Sequence, residues 1–139
     1  MIGYAEEVVF TAADLALLEL ATALVAKAPG KVDGEWVRCH EIARAVGRLL
    51  QLQWVDGKYD ACAHSWLLVR RRVILDVYVP ARLPQVQLVD TSCPWANANY
   101  HPDPNHRTDI DRALVEKLHA IIRPRSPLSH LSQEKEALP

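Results

Sequence analysis

Three residues able to support nucleophilic chemistry occur in chain order: Cys39, His64 and Asp76. Two of them lie in the stretch "CAHSWLLVRRRVILDVYVP", residues 62–80, which otherwise reads as buried β-strand. Asp76 stands between Leu75 and Val77, and a carboxylate in an apolar strand is costly unless something pairs with it. A thiol becomes a useful nucleophile when its pKa falls, and the free N–H groups of a helix N-terminus favour the thiolate. An imidazole then takes or shares the proton, and a carboxylate on its far side fixes the tautomer and steadies the imidazolium. Cys39, His64 and Asp76 fit these three roles. The backbone N–H groups of Cys39 and His40 would offer donors to an oxyanion, with the indole of Trp36 as a further donor.

These side chains need elements to hold them. Thr11 can cap a helix through "AADLALLELATALVAKA", with Asp14 placed to complete the cap and Pro29-Gly30 to end it. Leu15, Leu18, Ala21 and Val25 follow helical spacing, and the apolar residues on several sides predict a largely buried helix. "GKVDGEWVR" reads as a loop. "CHEIARAVGRLLQLQ" predicts a second helix, with Cys39 at its first turn and an inner stripe of Ile42, Val46, Leu49 and Leu50. "WVDGKYD" reads as a turn around Gly57. Strands are predicted at about 64–70 and 73–79, and "PQVQLVD" at 84–90 suits a third. "TSCPWANANYHPDPN" is rich in turn formers and reads as irregular. "TDIDRALVEKLHAII" predicts a last helix capped by Thr108 or Asp109, with a stripe of Ile110, Leu114, Leu118 and Ile121 or Ile122.

Strand parity tests the pairing of His64 with Asp76. In an antiparallel pair, facing residues have a constant index sum, and an even sum puts both residues on one face. A two-residue Arg71-Arg72 turn gives an odd sum. A three-residue loop at 70–72 gives an even one, and arginines suit a two-residue hairpin turn badly. The longer loop is therefore expected, with Asp76 on the rung next to His64.

From about Trp36 to Pro80 the chain resembles the core of the transglutaminase-like superfamily, within the wider papain-like cysteine hydrolase fold. The matching pieces are Cys39 with Ala43 four residues on, then Val55-Asp56-Gly57, His64-Ser65-Trp66, and Leu75-Asp76. The glycine common before that family's cysteine is replaced by Val37-Arg38, and its Asp-Pro-Thr is Asp76-Val77-Tyr78 here. The resemblance implies Cys39 as nucleophile, His64 as general base and acid, and Asp76 as the group that orients the imidazole. Hydrolysis, deamidation and acyl transfer all pass through the same thioester.

Other readings of these residues are structural. Cys39 alone would be a buried small hydrophobe, as are Cys62 and Cys93. His64 could be a satisfied core histidine, and Asp76 could bridge to Arg70 or Arg72. Most tryptophans read as core, and Trp36 could pack on the last helix. Cys39, His40, Cys62, His64 and Cys93 could in principle ligate zinc, but the paired spacing of zinc motifs is absent. His101 and His106 fall in a proline-rich loop, and Arg70-Arg71-Arg72 reads as a solvated hairpin tip.

Length and composition bound the rest. A chain of 139 residues suggests one domain, here 1–123, with a flexible polar tail at 124–139. A net charge of −1 gives no general attraction to nucleic acid or anionic membrane. No apolar run is long enough to span a membrane, and the acidic N-terminus does not read as a signal peptide. Three irregularly spaced cysteines argue against a disulfide framework and for the reducing cytoplasm. The expected fold is α+β, with N-terminal helices packed on a small antiparallel sheet in a papain/transglutaminase-like core. The expected function is a cysteine hydrolase or acyltransferase, of protease, deamidase or transamidase type. Its substrate would be a peptide, a protein or a small amide or ester, with no cofactor and no metal. The alternative is a non-catalytic domain that keeps the fold and binds a protein partner.

Overall fold

The computed structural model describes residues 8–78, 86–105 and 109–124. Helix α1 (Ala12–Ala26) opens on a reciprocal cap. The Thr11 hydroxyl accepts from the Asp14 N–H at 3.1 Å, and the Asp14 carboxylate accepts from the Thr11 N–H at 2.8 Å. The helix is not largely buried: only Asp14, Ala21, Leu24 and Val25 are, and Leu15 is 52% exposed. Its leucines are spread around the cylinder, so one packed face cannot cover them all.

The segment expected as a loop forms a short hairpin, β1 (Lys31–Val32) and β2 (Glu35–Trp36). Its Asp33-Gly34 turn has φ of +50° and +83°, the left-handed pair that a two-residue hairpin uses. Helix α2 (Cys39–Leu50) stops short of the expected end, because Gln51 takes a left-handed φ of +57°. Gly47 lets α2 lie close against the sheet: a Cβ there would come within 2.8 Å of Leu67 Cδ2.

The expected turn at 54–60 is instead a strand, β3 (Gln53–Tyr59). Gly57 lies in its interior, where a Cβ would overlap the His101 carbonyl oxygen of an adjoining strand. Strand β4 (Cys62–Arg70) pairs with β3 on one side and with β5 (Val73–Asp76) on the other. The β4–β5 turn has two residues, not three, with Arg72 at φ +69°. The extra residue falls in the strand as a bulge between Leu68 and Arg70, and it restores the even register Leu68↔Ile74 and Leu67↔Leu75. Strand β6 (Gln87–Asp90) follows. The stretch expected as irregular contains helix α3 (Pro94–Asn99) and strand β7 (Tyr100–Pro102). Helix α4 (Arg112–Ile122) is capped by Asp111, not by Asp109, and it buries Ile122 while Ile121 is exposed. Thr108, the other expected cap, and His106 lie outside the described residues, as does the tail beyond Pro124.

The fold is α+β: the described residues form four helices, the β1–β2 hairpin and a five-stranded antiparallel sheet of order β6-β5-β4-β3-β7. Alternation along the strands separates two apolar clusters. Leu67, Val73, Leu75 and Leu88 meet Ala21 and Leu24 of α1, Ile42 and Val46 of α2, and Leu118 of α4. Trp66, Ile74, Val89, Ala96 and Tyr100 form a smaller cluster on the other face. Arg70 is no loose hairpin tip, since it pairs with Asp14 at 2.8 Å and ties β4 to α1. Cys62 and Cys93 are exposed, so they are not core residues. Among the described residues, no helix is long and apolar enough to cross a membrane.

Candidate active site

Cys39 is the first residue of α2, and no side chain caps that helix at Arg38. The N–H groups of its first turn therefore lack a side-chain acceptor, and they lie beside the sulfur. His64, near the start of β4, shares the face of Trp66. The β4–β5 ladder stops at Leu67↔Leu75, so the β5 side of His64 lies past the paired part of the sheet. Cys39 and His64 come close enough there for each to shift the other's pKa.

His64 Nε2 lies 2.8 and 3.0 Å from the two carboxylate oxygens of Asp76, leaving Nδ1 for the sulfur. Asp76 is wholly buried and also accepts from the Tyr100 hydroxyl at 2.6 Å and the Tyr78 N–H at 3.1 Å. That set of donors answers the cost of a carboxylate in an apolar strand. Neither Arg70 nor Arg72 takes it: Arg70 goes to Asp14, and Arg72 reaches the Ser92 hydroxyl. Tyr59, Trp66 and Tyr100 stand around the imidazole with ring centroids 5.9, 5.9 and 6.4 Å away.

The electrostatics follow. Burial pushes the Cys39 thiol up, but hydrogen bonds to His40 and His64 and the charges of both rings outweigh it, bringing the thiol down to about 6. Burial pushes His64 down, but its bonds to Asp76 and Cys39 outweigh that and raise it to about 9. Between those values the favoured pair is thiolate and imidazolium.

A second string of contacts reaches the same sulfur. His40 is buried, with Nδ1 3.7 Å from Cys39 Sγ and 2.6 Å from Ser65 Oγ. Ser65 donates to Asp56 Oδ1 at 2.6 Å, and Arg44 binds both Asp56 oxygens at 3.1 and 2.7 Å. Burial raises Asp56, yet the Arg44 and Ser65 hydrogen bonds overcome it and hold the carboxyl below its ordinary range.

The structure thus brings Cys39, His64, Asp76 and His40 together. Trp36 stands apart: it is 68% exposed on β2, with the Lys31 ammonium 4.2 Å over its ring. It walls a cavity of about 210 Å³ with Val37, Ile42 and Tyr78, beside the elements that carry Cys39 and Asp76. Among the described residues, no three His, Cys, Asp or Glu side chains converge as metal ligands. Sequence reading missed Ser65, Asp56, Arg44 and Tyr100. Ser65 and Asp56 face each other across β3 and β4, a relation that needed the strand at 53–59 to be seen. Comparison with protein-family models, curated proteins and solved structures finds no match to this chain.

Proposed function

We propose that the protein is a cysteine-dependent hydrolase or acyltransferase acting on an amide or ester, in keeping with its resemblance to the transglutaminase-like superfamily. One observation carries the reading: at the uncapped start of a helix, Cys39 lies within electrostatic reach of His64, whose Nε2 is 2.8 Å from the buried Asp76 carboxylate. The Cys39 thiolate attacks the carbonyl carbon, a C–S bond forms, and the carbonyl electron pair moves onto oxygen. Backbone N–H groups at Cys39 and His40 stabilise that oxyanion. The oxyanion collapses, the C–N or C–O bond breaks, and the His64 Nδ1 proton goes to the departing amine or alcohol. Water or an amine then attacks the thioester while His64 takes its proton, and thiolate leaves. Asp76 holds the imidazole in the tautomer these transfers need. The substrate is a peptide, a protein or a small amide or ester. Free thiols at Cys39, Cys62 and Cys93 support a cytoplasmic setting.

The test uses Cys62→Ser/Cys93→Ser protein, because both of those thiols are exposed and would compete. Incubation with a p-nitrophenyl ester should acylate Cys39 and release p-nitrophenol, with the adduct mapped by mass spectrometry. Asp76→Asn should slow iodoacetamide modification of Cys39 at pH 7 by about thirtyfold, as the thiol returns toward its free value of about 8.5. No acyl adduct, together with a parent thiol already near that value, would return the protein to the reading of a binding domain without chemistry.

A further inference from the structure

Two imidazoles act on one sulfur, and the hydrogen-bond chain behind His40 decides what it can do there. A serine hydroxyl has a single proton. Ser65 gives its proton to Asp56 Oδ1 at 2.6 Å. Asp56, clamped by Arg44 and kept ionised, has none to return. The 2.6 Å contact between Ser65 Oγ and His40 Nδ1 must therefore be donated by the imidazole. The nitrogen that lies 3.7 Å from Cys39 Sγ thus carries a hydrogen and has no lone pair for the thiol proton. His64 is arranged the other way: Asp76 occupies Nε2, and Nδ1 is left to exchange a proton with sulfur.

We propose that His40 is a second catalytic residue of this centre, its one Nδ1–H shared between Ser65 Oγ and the Cys39 sulfur so that it is a donor and not the base, and that Ser65, Asp56 and Arg44 are positioning residues that keep its proton on Nδ1. The inference rests on reading Cys39 as the nucleophile. It goes further in dividing the work between the two rings: His64 moves protons, while His40 biases the sulfur toward its anion by an N–H that stays put. The other ionisable groups that act on the sulfur are His64 from β4 and Arg38 from the N-cap position before α2. Arg38 is spent mainly on Glu41, at 2.7 and 2.9 Å.

The experiment is the pH profile of iodoacetamide modification at Cys39, in the Cys62→Ser/Cys93→Ser background. His40→Leu removes the donor and should move the midpoint up by about one pH unit, slowing modification at pH 6 about fivefold. His40→Asn places an amide N–H near the Nδ1 position and can donate a hydrogen bond but cannot take up the thiol proton, so its midpoint should stay close to the parent. Ser65→Ala should shift the midpoint in the same direction as His40→Leu, but less. A parent-like profile in His40→Leu overturns the inference and leaves Cys39 the nucleophile. So does a His40→Asn profile as displaced as that of His40→Leu, since it would make His40 a proton acceptor. If His40→Leu does not fold, His40→Asn and Ser65→Ala decide: a displaced Asn profile, or an unshifted Ala profile, overturns it. A parent midpoint near about 8.5 fails the nucleophile reading itself, which is a separate result.

Discussion

The sulfur of Cys39 sits between two histidine–carboxylate strings built from similar parts. On one side, Asp76 is fully buried, and its only ion pair among the described residues is with His64. Its other donors, the Tyr100 hydroxyl and the Tyr78 amide, are neutral, so its charge calls for a cationic imidazole. On the other side, Asp56 already has a guanidinium clamped on it, and its side chain is 22% exposed. Its link to His40 runs through a hydroxyl that passes on direction, not charge. The same residue types therefore yield a mobile proton on one side and a stationary one on the other. What differs is whether the carboxylate has its own cation before the histidine arrives.

The largest expected effect separates the two carboxylates by stability. Asp76→Ala leaves His64 Nε2 and the Tyr100 hydroxyl without their acceptor in a dry site, and should cost about 3–5 kcal/mol. Asp56→Ala frees Arg44 and Ser65 closer to solvent, and should cost about 1–2 kcal/mol. Urea denaturation of both variants checks the pair, and equal losses would break the comparison.

A second effect is smaller and concerns pH. His64, raised to about 9 from 6.5, adds stability that is complete below about 6.5 and lost as pH rises through 9. Cys39, lowered to about 6 from 9.0, adds stability that is present above about 9 and lost as pH falls through 6. Between about 6.5 and 9 the slopes oppose each other, because folding only moves one proton from sulfur to imidazole. Wild-type stability should therefore be nearly flat across that window. Cys39→Ala removes one partner and leaves His64 bonded to Asp76. Its urea midpoint should fall as pH rises from 6.5 to 9, with a limiting slope of about 1.4 kcal/mol per pH unit. A flat profile in Cys39→Ala would show that His64 has no raised value of its own.

The smallest effect belongs to Tyr100→Phe. It removes one of the donors to Asp76 but keeps the ring in its cluster, and should cost about 1 kcal/mol by the same denaturation assay. The Cys39 modification midpoint should hardly move. A large upward displacement would mean that the hydroxyl, and not the charge of Asp76, positions the imidazole.

Much of the His64–Asp76 side was legible in the sequence. An ionisable pair inside apolar strands is a visible anomaly, and even parity put both residues on one face. The register came out as expected by another route, through a bulge in β4 in place of a longer turn, because Arg72 accepts a left-handed φ that arginines seldom take. The His40 side was far less visible. Asp56-Gly57 looks like a turn signal, so β3 was lost, and with it the pairing of Asp56 with Ser65. Tyr100 is hidden for a similar reason: β7 is three residues long, and its partner is the strand whose sequence reads as a turn. Local signals mark helix caps and alternating strands well. They do not mark a short edge strand whose existence depends on a neighbour.

Gly57 gives that edge a meaning beyond architecture. β7 approaches β3 where a methyl group at Gly57 would collide with the His101 carbonyl, and β7 begins with the tyrosine that closes over Asp76. The dryness of the His64–Asp76 pair is thus leased from the sheet's outermost strand, and edges open more readily than centres. Whenever β7 lifts, water reaches the carboxylate, the effective dielectric rises, and the attraction that keeps the imidazole charged weakens. The strength of the ion pair and the hydrogen-exchange protection of one short strand are in that sense a single quantity, read once by electrostatics and once by time.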